Sequence, residues 1–290
     1  MSCDPTVDLI YAGSVSVLQQ ALRAKYKFKK PLVCWVWDIP YNWREWGMNS
    51  EGLKANAKRD RANTDRVNML KECDMIISSS KWTQKVLKEQ YGLASEQIYF
   101  YIDVKLLDSI PRQTKEKQVI QISRFFYNKR FEDSIIAMKN IKDYRLKLIG
   151  TGISSHYGNM LKHYAFTEKP VVNNIIFQDS IPRKSVLTEL KKSEVLVSPS
   201  VFEGWGITPI EALHCNIPVL LSDLPVYKEV YGDNLLYHKR TDPEDMAEKL
   251  KKLLTDKYLQ KKIVNACKPI IAEFTPEVFA KKWKDIIKQC

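Results

Sequence analysis

Short apolar runs recur along this chain with amphipathic stretches between them, and that alternation restricts the fold more than any single motif does. VDLIY (7–11), PLVCWVW (31–37), DMIIS (74–78) and QIYFYI (97–102) read as strands. Between them SVSVLQQALRAKY, LKANAKRDRANTDRVNMLKEC and KWTQKVLKEQYG carry the apolar spacing of helices. A polar break, DSIPRQTKEKQ (108–118), interrupts the pattern. It restarts with VIQIS (119–123), RLKLIG (145–150), NIIFQ (174–178), EVLVS (194–198), IPVLLS (217–222) and NLLYH (234–238), and a mostly helical stretch runs from Pro243 to Cys290. Such alternation predicts an α/β fold, with parallel sheets covered by helices on both faces. We expect two doubly wound domains, the first the smaller, with a linker near residues 108–117. Sheets of this kind bind ligands beyond the carboxyl ends of their strands, where strand order reverses, so the loops directly after strands are where chemistry is sought.

Composition narrows the classes further. At 290 residues, 44% hydrophobic and 28% charged, the chain can bury one large core or two modest ones and does not read as a disordered polymer. Six cysteines lie scattered without a CxxC pair, which fits reduced thiols in a cytoplasm and no zinc site. The start, MSCDPTVDLIYAG, lacks the basic-then-apolar order of a signal peptide, and no apolar stretch is long enough for a membrane span. The expectation is a soluble protein, or one peripheral at a membrane surface. A net charge of +12 implies attraction to an anion, which could be nucleic acid, lipid headgroups or a phosphorylated small molecule.

Two loops of the second half concentrate polar groups. RFFYNKRFED follows VIQIS and crowds Arg124, Lys129 and Arg130 just past a strand end, where cations would meet phosphates. PSVFEGWGITPIEAL follows EVLVS, with Gly204 and Gly206 permitting close backbone approach and a helix expected from near Thr208. Two readings of Glu211 stand. Thr208-Pro209-Ile210-Glu211 fits a capping box, in which the glutamate finishes its own helix start. Alternatively a glycine-preceded helix start presents bare N–H groups to an anion, which would bring the glycines, the helix start and the basic loop into one ligand site. Only the second reading gives Glu203 a part.

The run Phe202 to Leu213, with Ile217-Pro218-Val219, Ser222-Asp223 and Glu229-Val230, resembles the donor-site signature of retaining glycosyltransferases of family GT4, with seven residues between its two glutamates. Ile122-Ser123-Arg124 and Lys129 to Asp133 resemble that family's basic diphosphate loop. Asp74 to Ser78 and Tyr91-Gly92 resemble the end of its acceptor domain, and Tyr101-Ile102-Asp103 resembles its linker motif. The resemblance covers most of residues 7–240. It implies the GT-B fold of two Rossmann-like domains: residues 1–112 on the acceptor side, with a closing helix at 275–290 returning to them, and residues 113–274 holding the nucleotide sugar. It implies sugar transfer from a UDP- or GDP-sugar to an unidentified acceptor hydroxyl with retained anomeric configuration. Arg124 and Lys129 would bind the diphosphate, Glu203 the donor sugar, Glu211 the ribose, and the backbone of Gly204, Trp205, Gly206, Ile207 and Thr208 the sugar and phosphate. Fixed cations and a helix start aimed at the leaving diphosphate lower the barrier electrostatically. No DxD pair is present, Asp242 and Asp245 lying at a helix start, so neither a metal nor any other cofactor is expected.

Departures accompany the matches. The family's opening strand and glycine-rich loop are not found, so a shortened N-terminal domain is expected, with Gly13 a weak stand-in for that loop. Where relatives carry histidine near a strand end this chain has Trp37-Asp38-Ile39, and Asp38 reads either as a catalytic carboxylate or as a turn residue before Pro40. Asn216 replaces a glycine at a helix end and suits a left-handed residue. Trp35 and Trp37 are expected on one buried strand face. Trp43 and Trp46 read either as exposed aromatics for an acceptor sugar or membrane, or as core beneath a loop. Arg23, Lys25, Lys27, Lys29 and Lys30 suit an anionic lipid surface or simply a solvated helix face. His156, His163, His214 and His238 lack ligand-like spacing. A non-catalytic nucleotide-sugar-binding relative is the alternative reading. Nucleic acid is not an expected partner, since the lysines are spread along most helices and no recognition motif occurs.

Overall fold

The structure is a computed structural model that describes residues 8–37, 53–167 and 174–288. The apolar runs form strands, except for QIYFYI, of which only Gln97 does, and the chain divides into two compact units: residues 1–101 with 276–290, and residues 102–275. The compositional break at 108–118 therefore falls inside the second unit.

The first unit holds a parallel sheet of β1 (Ile10–Ala12), β2 (Leu32–Val36), β3 (Met75–Ser78) and β4 (Glu96–Gln97), paired in that order. Strand periodicity of two sorts β2 between layers. Leu32, Cys34 and Val36 join the core formed with helices α1 (Leu18–Phe28), α2 (Leu53–Lys71) and α3 (Lys81–Tyr91), while Val33 and Trp35 join Ile286, Phe279 and Trp283 of α12 (Pro276–Ile287) on the other face. Trp35 stacks between Phe100 and Phe279 at centroid distances of 4.4 and 5.5 Å. Trp37 departs from its expected burial. It is 45% exposed, because β2 ends at Val36 and its ring tilts over Phe100 instead of entering the sheet face. Ser80 caps α3 by accepting from Thr83 N, and Gly92 at φ 65° ends it.

The second unit holds six parallel strands in the order β10-β9-β8-β5-β6-β7. These are β5 (Gln118–Ile122), β6 (Arg145–Ile149), β7 (Ile175–Gln178), β8 (Val195–Ser198), β9 (Val219–Ser222) and β10 (Leu236–His238). The chain winds outward from β5 through β6 to β7, returns to the other side of β5 as β8, and winds outward again. β5 and β8 are neighbours through Val119↔Val195 and Ile120↔Leu196, so the reversal lies between them and the loops after these two strands face one crevice. Strands buried on both faces read as continuous apolar runs, which is why VLLS of β9 is wholly buried. The helices are α4 (Val104–Ser109), α5 (Phe131–Ala137), α6 (His156–Thr167), α7 (Arg183–Lys192), α8 (Ile207–His214), α9 (Pro225–Tyr231), α10 (Pro243–Thr255) and α11 (Lys257–Ile271). Asp242 caps α10 by accepting from Asp245 N at 2.9 Å, with Pro243 as its first residue.

Candidate functional site

The loop after β5 is pinned before it reaches its basic residues. Ser123 N donates to Ile149 O at 3.0 Å and Phe125 N to Thr151 O at 2.8 Å. Gly150 makes this possible: a Cβ there would lie 1.6 Å from Ser123 O, so no other residue admits the approach. Arg124 lies exposed between these two anchors, and among the described residues its guanidinium has no partner. A short 3-10 turn, Tyr127–Lys129, follows. Gln121 Nε2 donates to Lys129 O at 2.8 Å, and Val201 N donates to Asn128 O at 2.9 Å, which stitches the β5 loop to the β8 loop.

Three cations adjacent in sequence thus go to three different places. Lys129 Nζ reaches Glu203 Oε1 at 2.7 Å, both side chains largely buried. Arg130, in the left-handed region at φ 49°, turns onto α5 and pairs with Asp133 through two nitrogens and with Glu132 through a third. Among the described residues, Arg124 alone of the three pairs with no carboxylate. Arg130 therefore serves its own helix and does not join a phosphate cluster.

The β8 loop holds Glu203 from below. Ser200 Oγ donates to the same Oε1 at 2.8 Å, and Ser200 O accepts from Ser222 Oγ at 2.5 Å. Phe202 and Trp205 are buried on either side of Glu203 and Gly204, with the Trp205 ring edge-on to Phe274 at 5.2 Å. The indole is thus core, and what Trp205 can present to a ligand site is its backbone. Gly206 stands at φ 86°, and a Cβ on it would meet Tyr227 Cε1 at 2.7 Å. The helix start after it carries no side-chain cap.

The capping-box reading of Glu211 is overturned. α8 begins at Ile207, Gly206 is its cap, Pro209 is its third residue and not its first, and Glu211 forms an ion pair with Arg183, the first residue of α7. Glu211 is 3% exposed, and its Oε2 is buried with no hydrogen-bond partner among the described residues. Burial pushes its carboxyl above the usual range, and the Arg183 guanidinium pulls it back. Arg183 was missed in the sequence, although it follows β7 as the other basic residues follow β5. A raised acid favours folding at low pH and loses that advantage as pH rises through its folded value, and Arg183 limits the loss. Arg183→Ala should then destabilise by about 1–3 kcal/mol at neutral pH, below the range for fully buried pairs because Arg183 is nearly half exposed. The deficit should shrink as pH falls and Glu211 protonates. Urea unfolding at pH 7 and pH 4.5 checks this, and equal deficits at both would dismiss the pairing.

Thr208 lies in the first turn of α8. Gly13 belongs to the first unit, where its φ lies outside the left-handed region and a Cβ would make ordinary contact with the Tyr11 ring at 3.4 Å, so the backbone does not demand glycine. Asp38, Trp43 and Trp46 lie outside the described residues. Asn216 takes φ 60° after α8, and Asn216 N bonds Leu213 O at 3.0 Å. Among the described residues no three His, Cys, Asp or Glu side chains gather as a metal site, Cys34, Cys73, Cys215 and Cys267 are free thiols, and no helix is long and apolar enough to cross a membrane.

The second unit thus presents, past the carboxyl ends of β5, β7 and β8, a lysine–glutamate pair, an uncapped helix start and, unpartnered among the described residues, the Arg124 guanidinium and one oxygen of the buried Glu211 carboxylate. Comparison with known proteins bears on that arrangement. Glycosyl transferases group 1 is the family whose profile matches, over residues 105–268, more than half the chain. Relatives include the O-antigen chain mannosyltransferase RfbU of Salmonella typhimurium, 27% identical over 191 residues, which are 63% of this chain and 52% of that protein. Another is the uncharacterized glycosyltransferase MJ1178 of Methanocaldococcus jannaschii, 28% identical over 210 residues, 70% of this chain and 56% of that one. This chain spans about half the length of the curated relatives it matches. In fold it is similar to Anabaena Alr3699/HepE in complex with UDP-glucose, with a TM-score of 0.82 at 18% identity over 98% of this chain and 79% of that one. Sucrose-phosphate synthase from Thermosynechococcus elongatus gives 0.81 at 18% identity over 97% and 73%. The double unit of parallel sheets is the GT-B fold of such enzymes. With a matched profile that runs from α4 into α11 and takes in both site loops, the chain belongs to the family of glycosyl transferases group 1.

Proposed function

We propose that this protein moves a hexose from a nucleotide-sugar donor to an acceptor hydroxyl, with retention at the anomeric carbon and without a metal ion. The observation that carries the reading is the placement of Arg124, Lys129, Glu203 and Glu211 by the two loops that meet at the strand-order reversal. Arg124 and the N–H groups at the start of α8 meet the diphosphate, whose negative charge grows as the anomeric bond breaks. Lys129, the second cation for the diphosphate, is neutralised in part by Glu203 and holds that carboxylate toward the sugar hydroxyls. Glu211 offers its bare Oε2 to the ribose hydroxyls, and a ribose hydroxyl there gives a buried acceptor the donor it lacks. The leaving phosphate assists the incoming acceptor hydroxyl on the same face, and Asp38 is the first unit's candidate acid–base residue.

Relatives named as mannosyltransferases, and a fold neighbour bound to UDP-glucose, make a mannosyl donor and UDP-glucose the first donors to test. The acceptor is a glycan, lipid-linked or protein-linked hydroxyl met at or near a membrane surface. Arg23, Lys27 and Lys29 are exposed on or just after α1 for that contact, whereas Lys25 is tied to Asp74. Thermal-shift screening against UDP-, GDP-, ADP- and dTDP-sugars tests the reading, because a ligand at a hundred times its dissociation constant adds about 2.7 kcal/mol. No shift with any of them would count against it. Glu211→Gln keeps the shape of the side chain while removing its charge, and should weaken nucleotide-sugar binding by about tenfold with no loss of melting temperature. Calorimetric titration decides it, and unchanged affinity would remove the ribose role.

A further inference from the structure

The second unit also contains a cavity of about 600 Å3 away from the loops described above. It is lined by the segment Asp108–Lys115 that leads into β5 and by the C-terminal ends of α7 and α8. Helices of a parallel α/β unit run back against their strands, so these ends lie at the amino edge of the sheet, and the loops that carry Arg124 and Glu203 lie at the carboxyl edge. A volume of this size is that of a small-molecule site.

Its polar lining is cationic and already ordered. Lys191 Nζ donates to Leu107 O at 2.7 Å and Ile110 O at 2.5 Å, and Lys115 Nζ donates to Lys191 O at 3.0 Å and Ser193 O at 2.6 Å. These carbonyls belong to the last turns and caps of α4 and α7, where the helices' own N–H groups run out, and Leu107 O also accepts from Ile110 N. Each ammonium has three N–H donors and spends two in these bonds, so each retains one in a position fixed before any ligand arrives. Arg112 adds a planar fork of donors suited to a carboxylate or phosphate, and among the described residues that fork has no partner. The carboxylate of the lining, Asp108, is engaged by His214 Nε2 at 2.9 Å. We propose that this cavity is a second binding site, separate from the nucleotide-sugar site, for a small ligand carrying an oxyanion group, gripped by Arg112, Lys115 and Lys191.

The state of Lys115 agrees with that geometry. Its ammonium bonds to two carbonyls, and desolvation there pulls its pKa down to about 8. Arg112 and Lys257 add to the fall, and Glu194 and Cys215 oppose it. A bound oxyanion and the charged form of Lys115 stabilise one another, so binding weakens as pH rises through about 8.

Calorimetric titration of the full chain at pH 7 with inorganic phosphate and, separately, with citrate tests the site. At least one probe should bind, and Arg112→Glu, an exposed substitution whose folding is verified by its melting curve, should weaken that binding at least tenfold. Arg124→Ala should leave it within twofold. Bound probe should also slow iodoacetamide alkylation of Cys215, which lines the cavity, as read by mass spectrometry. Binding of phosphate alone marks a phosphorylated ligand, and binding of citrate alone marks a polycarboxylate. Failure of both probes to bind, binding that survives Arg112→Glu, or binding lost in Arg124→Ala would overturn the proposal.

Discussion

Replacing Arg124 by alanine is expected to lower sugar transfer by about 10²–10³-fold, the usual effect of deleting one preorganised donor aimed at developing negative charge. The melting temperature should move by no more than ~2 °C, since the side chain is exposed and has no partner among the described residues to lose. That separation makes Arg124 more informative than Lys129. Lys129→Ala strips a largely buried Glu203 of its ammonium, so stability and turnover would fall together. Arg124→Lys keeps the charge but not the bidentate fork and should recover only part of the rate. Initial rates of nucleotide release from a donor the wild type accepts, beside melting curves for the three variants, give the comparison. Wild-type turnover in Arg124→Ala would end the diphosphate role.

The contrast between those two cations shows what the sequence could and could not reveal. The strands were legible because a strand buried on both faces must be apolar throughout, and such runs stand out between amphipathic helices. The exception is QIYFYI, of which only Gln97 belongs to the short strand β4. Phe100 in that run is spent on stacking against Trp35, a use of apolar residues that period counting does not separate from a strand. The positions of the site loops followed from strand ends, but their pairings did not. Lys129 and Glu203 are 74 residues apart, and Arg183 and Glu211 are 28 apart, so which cation meets which carboxylate is a property of the sheet order. A capping box is a local pattern, and at Glu211 it lost to a long-range ion pair that also relieves a buried charge. Trp205 sits within the stretch that resembles a donor-site signature and still packs as core, where its ring anchors the loop against Phe274.

The largest structural effect is expected at Gly206. A residue with a Cβ pays about 1–3 kcal/mol to hold φ near 86°. It also meets the Tyr227 ring at 2.7 Å, and that ring cannot swing aside, being fully buried with its hydroxyl on Ser198 Oγ at 3.0 Å. Overpacking of that kind adds about 1–3 kcal/mol, so Gly206→Ala should destabilise the chain by about 2–6 kcal/mol. The two causes separate in a double-mutant cycle. In a Tyr227→Leu background the steric part is relieved and the backbone part remains, so the same alanine should cost only about 1–3 kcal/mol. Urea unfolding followed by circular dichroism gives the four values, and a cost below 1 kcal/mol for Gly206→Ala alone would contradict the geometry. The functional consequence follows from what the glycine holds. Gly206 sets where α8 starts, so any variant that folds with that start displaced moves the N–H groups proposed to meet the diphosphate, and donor affinity should fall even where the melting temperature is recovered.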